Sequence, residues 1–115
     1  MAVLVDREVQ KVVRSRREAG KASTVWVHRI RLPRSGWSAT VEWTRQAPPA
    51  DSAVRMDVAG VSLWMDERIA AYARWHSLTL AVAKTGPFRS IVLDDPLLMF
   101  HVAAWETTHP GLKAA

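Results

Sequence analysis

The stretch "AVRMDVAGVSLWMDERIAAYARWHS", residues 53–77, decides the fold class. Its first half alternates apolar with polar side chains and breaks at Ala59-Gly60, which predicts two short strands joined by a tight turn. Asp66 is placed to cap a short helix that follows at once. The helix residues predicted to share one side are Ile69, Tyr72, Ala73 and His76. A strand pair leading straight into a helix favours an α+β chain over alternating βα units.

Upstream of this stretch the sequence predicts one helix and a hairpin. Asp6 can cap a helix over residues 6–19, and Gly20 fits the position just past its end. Its apolar stripe is formed by Val5, Val9, Val12 and Val13. Two alternating, β-branched segments follow at 24–32 and 37–43 and are predicted to pair. One face of the first strand would carry Trp26, His28, Ile30 and Leu32, and one face of the second Trp37, Ala39, Val41 and Trp43.

Downstream, a second hairpin is predicted from "LTLAVA", the turn "KTGP" and "FRSIVL". The segment after Pro96, "LLMFHVAAWE", fits either a strand or a short helix, and its periodicity does not decide between them. Strands thus follow one another along the chain, which favours a mainly antiparallel arrangement. We expect a mainly β (α+β) fold, a compact antiparallel sandwich or pseudo-barrel with two short helices.

Length and composition set the class of protein. The 115 residues fit one domain, and 49% are apolar, so a folded protein is expected. There is no cysteine, which excludes disulfides, thiolate metal sites and cysteine nucleophiles from this chain. The apolar runs are too short to span a membrane, and charged residues come too early for a signal peptide. The expected compartment is the cytoplasm.

Positive charge is concentrated at the start of the chain. Residues 1–35 hold nine Lys/Arg and three acidic residues, a net of +6, whereas the other eighty hold seven and eight, a net of −1. A basic patch is expected on the first helix, formed by Arg7, Lys11, Arg14, Arg16 and Arg17. Such a patch can attract nucleic acid, acidic lipids or an acidic protein face, or can be a solvated helix face.

The order of these elements resembles a known family. "LVDREVQKVVRSRREAG" resembles the family's first helix, and "GWSA", residues 36–39, is similar to its turn of pattern Gly-Cys-Ser-Gly. "ADSAVRMDVAGVSLWMDERIAAYA" and "FRSIVLDDP" match later elements in the same order. The chain therefore resembles the HesB/IscA group, the A-type carriers of iron–sulfur cluster assembly. The resemblance covers about residues 3–96 of the single domain 1–115 and leaves 97–115 divergent. It implies a HesB-like fold.

The departures from this family decide the expected function. Its first cluster-ligating cysteine falls on Trp37, and its last two fall near Val102 and Ala104. An indole cannot act as a thiolate donor, so cluster binding is not carried over and no cofactor is expected. Trp37 could fill the core, or it could line an apolar pocket or partner surface. That surface would be formed by Trp37, Ser38, Trp43, Trp26 and His28.

Other chemistry finds little support in the sequence. The four histidines lack the spacing of a ligand set. Glu106 and His109 have the i, i+3 spacing seen in metal sites of helix bundles, but Pro110 argues against such a site. His28 fits a hydrogen-bonded core histidine better than a ligand. Asp94 and Asp95 would point to opposite faces of a strand. No phosphate-cradling loop or nucleophile elbow is present. We therefore expect a non-enzymatic protein.

Three functions follow from these observations. The first is a cysteine-free relative of the carriers that has lost cluster binding and acts through protein–protein contact or an apolar pocket near Trp37. The second is a small ligand-binding or accessory protein of an unrelated pathway that reuses the fold. The third is a basic module that binds nucleic acid, the least favoured because Trp26 and Arg29 lie on opposite strand faces. The oligomeric state stays open.

Overall fold

The computed structural model describes residues 3–34, 36–48 and 53–109. Seven strands and three helices are found in this part of the chain. In chain order they are β1 (Val3–Val5), α1 (Arg7–Glu18), β2 (Thr24–Leu32), β3 (Gly36–Thr44), β4 (Ala53–Val58), β5 (Val61–Asp66), α2 (Glu67–Ala73), β6 (Leu78–Thr85), β7 (Phe88–Leu93) and α3 (Leu98–Thr108). Ser35 of the predicted turn and the tail 110–115 lie outside the described residues.

The strands form two mixed sheets. The larger sheet has the order β3-β2-β5-β4 and the smaller one the order β1-β6-β7. Both predicted hairpins are confirmed as antiparallel pairs, β2 with β3 and β6 with β7. Two pairs are parallel, β2 with β5 and β1 with β6. The mainly β prediction is therefore confirmed, while the sheets of the described residues do not close into a barrel and three helices replace the predicted two.

The core lies on one face of the larger sheet. Val25 and Val27 of β2 and Leu63 and Met65 of β5 are fully buried there, in register with one another. The smaller sheet contributes Leu78 and Leu80. The helices add Val9 and Val13 from α1, Ile69 from α2, and Leu98, Val102 and Trp105 from α3. The opposite face of β2, which carries Trp26 and His28, points away from this core.

The chain ends differ most from the prediction. Val3–Val5 forms a short strand beside β6, and Asp6 N–H donates to the Leu80 carbonyl at 3.1 Å, so Val5 belongs to a sheet and not to the helix stripe. This pairing joins residues about seventy-five positions apart, which local periodicity cannot reveal. Leu98–Thr108 is a helix, which settles the segment that the sequence left open.

Helix ends explain two of the turns. Gly20 has φ of +71°, the left-handed region, and Lys21 N–H donates to the Arg16 carbonyl at 2.9 Å, the arrangement of a Schellman motif. The Asp66 carboxylate accepts from Arg68 N–H at 2.9 Å and caps α2 as predicted. Asp6 occupies the equivalent position of α1, but its side chain makes no hydrogen bond to the helix. The prediction of a side-chain cap by Asp6 is therefore wrong.

Replacing Asp66 should weaken the fold at the junction of β5 and α2. The variant Asp66→Ala removes the cap and the contact of Asp66 with Arg29, and a lost cap costs about 1–2 kcal/mol of unfolding free energy. Asp66→Asn keeps an acceptor for the cap and should lose less. Asp6→Ala is the matched control and should change stability by less than about 0.5 kcal/mol. Urea unfolding of the three variants measures these differences, and equal losses for Asp6→Ala and Asp66→Ala would contradict the assignment.

Among the described residues, no helix is both long enough and apolar enough to cross a membrane.

Candidate functional site

Trp37 lies at the end of the larger sheet and is not part of the core. Its side chain is 39% exposed, because β5 pairs with β2 only from Val25 to Val27 and the core does not extend further. The Cζ atoms of Arg29 and Arg31 lie 4.6 and 5.7 Å from the centre of the Trp37 ring. The expectation of a core-filling ring is therefore wrong, and Trp37 is a surface indole with two guanidinium groups close to its ring.

The orientation of Trp37 depends on a chain of contacts. Arg29 Nε donates to Asp66 Oδ2 at 3.1 Å, and the same carboxylate caps α2 through its other oxygen. The hydrogen bond to Asp66 orients Arg29 so that its guanidinium lies over the Trp37 ring. The end of the sheet and the start of α2 thus support the exposed ring together.

Trp43 lies at the other end of the same strand and forms a separate site. Six residues of extended strand, about 20 Å, separate it from Trp37. The Arg16 Cζ atom lies 4.3 Å from the centre of the Trp43 ring, and Arg16 Nε donates to the Ala22 carbonyl at 2.6 Å. Beside this pair opens a groove of about 360 Å³, which we name the Trp43 groove. Its lining residues are Lys11, Val12, Ser15, Arg16, Trp43 and Arg89.

Trp26, His28 and Ser38 lie on the outer face of the sheet, away from Trp37 and Trp43. Trp26 and His28 stack with ring centres 4.7 Å apart. His28 Nε2 lies 3.1 Å from Glu42 Oε2 without an aligned hydrogen bond, so this buried nitrogen lacks one in the described structure. The expectation of a hydrogen-bonded core histidine is therefore wrong. Ser38 Oγ donates to the neighbouring Ala39 carbonyl at 3.4 Å. The predicted five-residue surface is divided among three places.

The predicted basic patch is divided as well. Arg7, Lys11 and Arg14 are exposed on the outer side of α1, and Lys11 Nζ lies 3.4 Å from Glu8 Oε1. Arg17 donates to the Gly60 carbonyl at 3.3 Å on one flank of the helix. Arg16 extends to Trp43 on another. The helix therefore brings Lys11 and Arg16 to the groove and leaves the rest outside it.

The positions that the resemblance assigns to the last two thiolates do not converge. Val102 is fully buried and Ala104 is exposed, both on α3. Residues two apart on a helix point about 200° apart around its axis, so their side chains face away from each other. In the described residues, no group of three or more His, Asp or Glu side chains is arranged to hold a metal ion.

Three acidic side chains considered as candidates, Asp94, Asp95 and Glu106, have structural partners. Asp94 accepts from Thr79 N–H at 3.1 Å, and Asp95 contacts His101 Nδ1 at 2.6 Å and accepts from Leu97 N–H at the start of α3. Glu106 pairs with Arg68 of α2 instead of sharing a site with His109. The two adjacent aspartates therefore have separate partners. Both lie beyond the end of β7, so the prediction that they point to opposite faces of a strand is wrong about their setting.

Sequence reasoning missed two contributors to these sites. Arg89 reaches the Trp43 groove from β7, and Arg29 covers Trp37. Alternation does place Arg31 and Trp37 on paired positions of one face once the hairpin register is known, so the Trp37 contacts were accessible from register. Nothing local marks Arg89, because the packing of the two sheets brings it to α1.

The comparisons identify the fold. No family model matches this chain, and no curated protein matches it either. Among solved structures it is similar to IscA with a [2Fe-2S] cluster, with a TM-score of 0.55 and 12% identity over 83% of this chain and 86% of that one. It is also similar to Escherichia coli SufA, involved in biosynthesis of iron–sulfur clusters, with a TM-score of 0.58 and 10% identity over 83% and 81%. The chain therefore has the HesB/IscA fold of the A-type iron–sulfur carriers, as its sequence pattern predicted.

Proposed function

We propose that this protein is a non-enzymatic binding protein of the cytoplasm that uses the A-type carrier fold without carrying a cluster. It acts through contact with a protein partner. The observation that carries this proposal is Trp37, an exposed indole contacted by Arg29 and Arg31. It stands at the position that the resemblance assigns to a thiolate ligand. The side chains of Val102 and Ala104 point in opposite directions from α3, which supports the proposal because thiols at these positions would not share a metal.

The Trp37 end of the sheet has the character of a contact surface. Trp37 is large, partly exposed and kept in place by two arginines, so little side-chain freedom would be lost when a partner covers it. Tryptophan and arginine are the residue types enriched where binding energy concentrates in interfaces. A ligand pocket near Trp37 would need an enclosed cavity, and the exposed position of the ring favours a surface contact instead.

Anaerobic reconstitution with ferrous iron and sulfide tests the loss of cluster binding. We expect the protein to stay colourless and to retain no stoichiometric iron after desalting, because the chain offers no thiolate. IscA treated in parallel is the positive control and should turn brown. Stoichiometric iron or a visible absorption band in this protein would overturn the proposal.

A further inference from the structure

Among the described residues, the lining of the Trp43 groove includes three cationic side chains and no acidic one. Lys11 and Arg16 come from α1 and Arg89 from β7, and Ser15 adds a hydroxyl between them. Like charges so close together raise the electrostatic potential of the groove and favour an anionic occupant. Arg89 is exposed on β7, the edge strand of the smaller sheet, so its side chain is not part of the core.

Arg16 is held ready for a carboxylate. Its guanidinium lies over the Trp43 ring, and its Nε is bonded to the Ala22 carbonyl, so little freedom would be lost on binding. With Nε bonded to the Ala22 carbonyl, the two terminal nitrogens of Arg16 are left for a carboxylate, which they can bind through a pair of hydrogen bonds. Lys11 contacts only Glu8, with both side chains about half exposed, and such surface pairs exchange partners at little cost.

We propose that the Trp43 groove binds an acidic segment of a protein partner. This proposal rests on the proposed function as a protein-binding module. Lys11 and Arg16 project about 140° apart around the axis of α1, and Arg89 comes from β7, so the three cations reach the groove from different directions. The groove is partly open to solvent, which suits a peptide better than an enclosed metabolite.

Two observations favour a peptide over a nucleic acid. The Arg16 guanidinium covers a face of Trp43, which leaves that face unable to stack on a base. The outer side of α1 also mixes the exposed cations Arg7 and Arg14 with Glu18, which would repel the phosphates of a strand lying along the helix. A short acidic segment in the groove would instead meet Lys11, Arg16 and Arg89.

Fluorescence anisotropy with the full chain tests the proposal. The probe is a labelled peptide of alternating glutamate and serine, compared with a peptide in which glutamine replaces every glutamate. Lys11→Glu and Arg89→Glu should each weaken binding of the alternating peptide about tenfold. Arg89→Glu should fold, since its carboxylate would lie opposite Lys84. Arg55→Glu makes the same charge change on the outer face of β4 and should weaken binding less than about twofold.

The outcomes separate the sources of affinity. Saturable binding that requires the glutamates and follows this order of variants supports the groove. Equal losses for all three variants would show a response to net charge and overturn the proposal. Tighter competition by an oligothymidylate or by inorganic phosphate than by the peptide would overturn it in favour of a nucleic acid or a free anion. Iron uptake in the reconstitution experiment would reject the proposed function alone, so the two failures are distinguishable.

Discussion

Trp105→Ala is expected to lower the free energy of unfolding by about 3–5 kcal/mol, the cost of removing a large aromatic side chain from a packed core. Trp105 is 6% exposed on α3 and meets the Tyr72 ring edge-on, with centres 5.9 Å apart. Its loss would leave a cavity between α3 and α2 and remove the contact that shields Tyr72. Urea unfolding measures the stability change.

The single tyrosine of the chain gives a second readout of the same variant. Burial raises the pKa of Tyr72 above its ordinary value of 10.0, with Asp95 adding to the rise. The neutral phenol is therefore favoured in the folded state, and this contribution is present below pH 10 and lost as the pH rises through the folded pKa. Trp105→Ala should return the pKa of Tyr72 towards its ordinary value, which phenolate absorbance follows directly in a chain with one tyrosine.

Phe100→Ala is the matched control on the same helix. Phe100 is 63% exposed, so its removal should change stability by less than about 0.5 kcal/mol and leave the Tyr72 titration unchanged. A small effect of Trp105→Ala, similar to that of Phe100→Ala, would show that α3 is not docked in the core.

Local patterns in the sequence predicted most elements because their signals are local. Gly20 ends α1, Gly60 turns β4 into β5, and Asp66 starts α2, each within a few residues of the feature that it controls. Alternation then identified β2 to β7 with bounds within one or two residues, whereas β1 was not predicted. The order of these elements was enough to indicate the HesB/IscA fold.

Long-range pairing explains what the sequence could not show. The parallel contact of β1 with β6 and the docking of α3 depend on residues far apart in the chain. Alternation also predicts which residues share a face but not which face is buried, and so His28 was assigned to the wrong environment. Trp37 and Trp43 do share a face of β3, as alternation predicts, but they lie at opposite ends of the strand beside different arginines. The contribution of Arg89 to the Trp43 groove could be recognised only from the packing of the two sheets.

The account depends on the C-terminal segment being a core helix whose faces differ, so that the positions assigned to two thiolates point apart. Because the chain lacks cysteine, single variants Val102→Cys and Ala104→Cys can each be labelled with a maleimide without background. Val102 is fully buried and Ala104 is exposed, so the thiol at 102 can react only when the helix opens. Labelling in denaturant corrects for any intrinsic difference between the two thiols.

Under native conditions we predict that Ala104→Cys reacts at the rate of a free thiol and Val102→Cys at least about a hundredfold more slowly. Native rates that are equal for the two positions would mean that the segment is not a docked helix, and the claim that this fold no longer presents a cluster site would be contradicted.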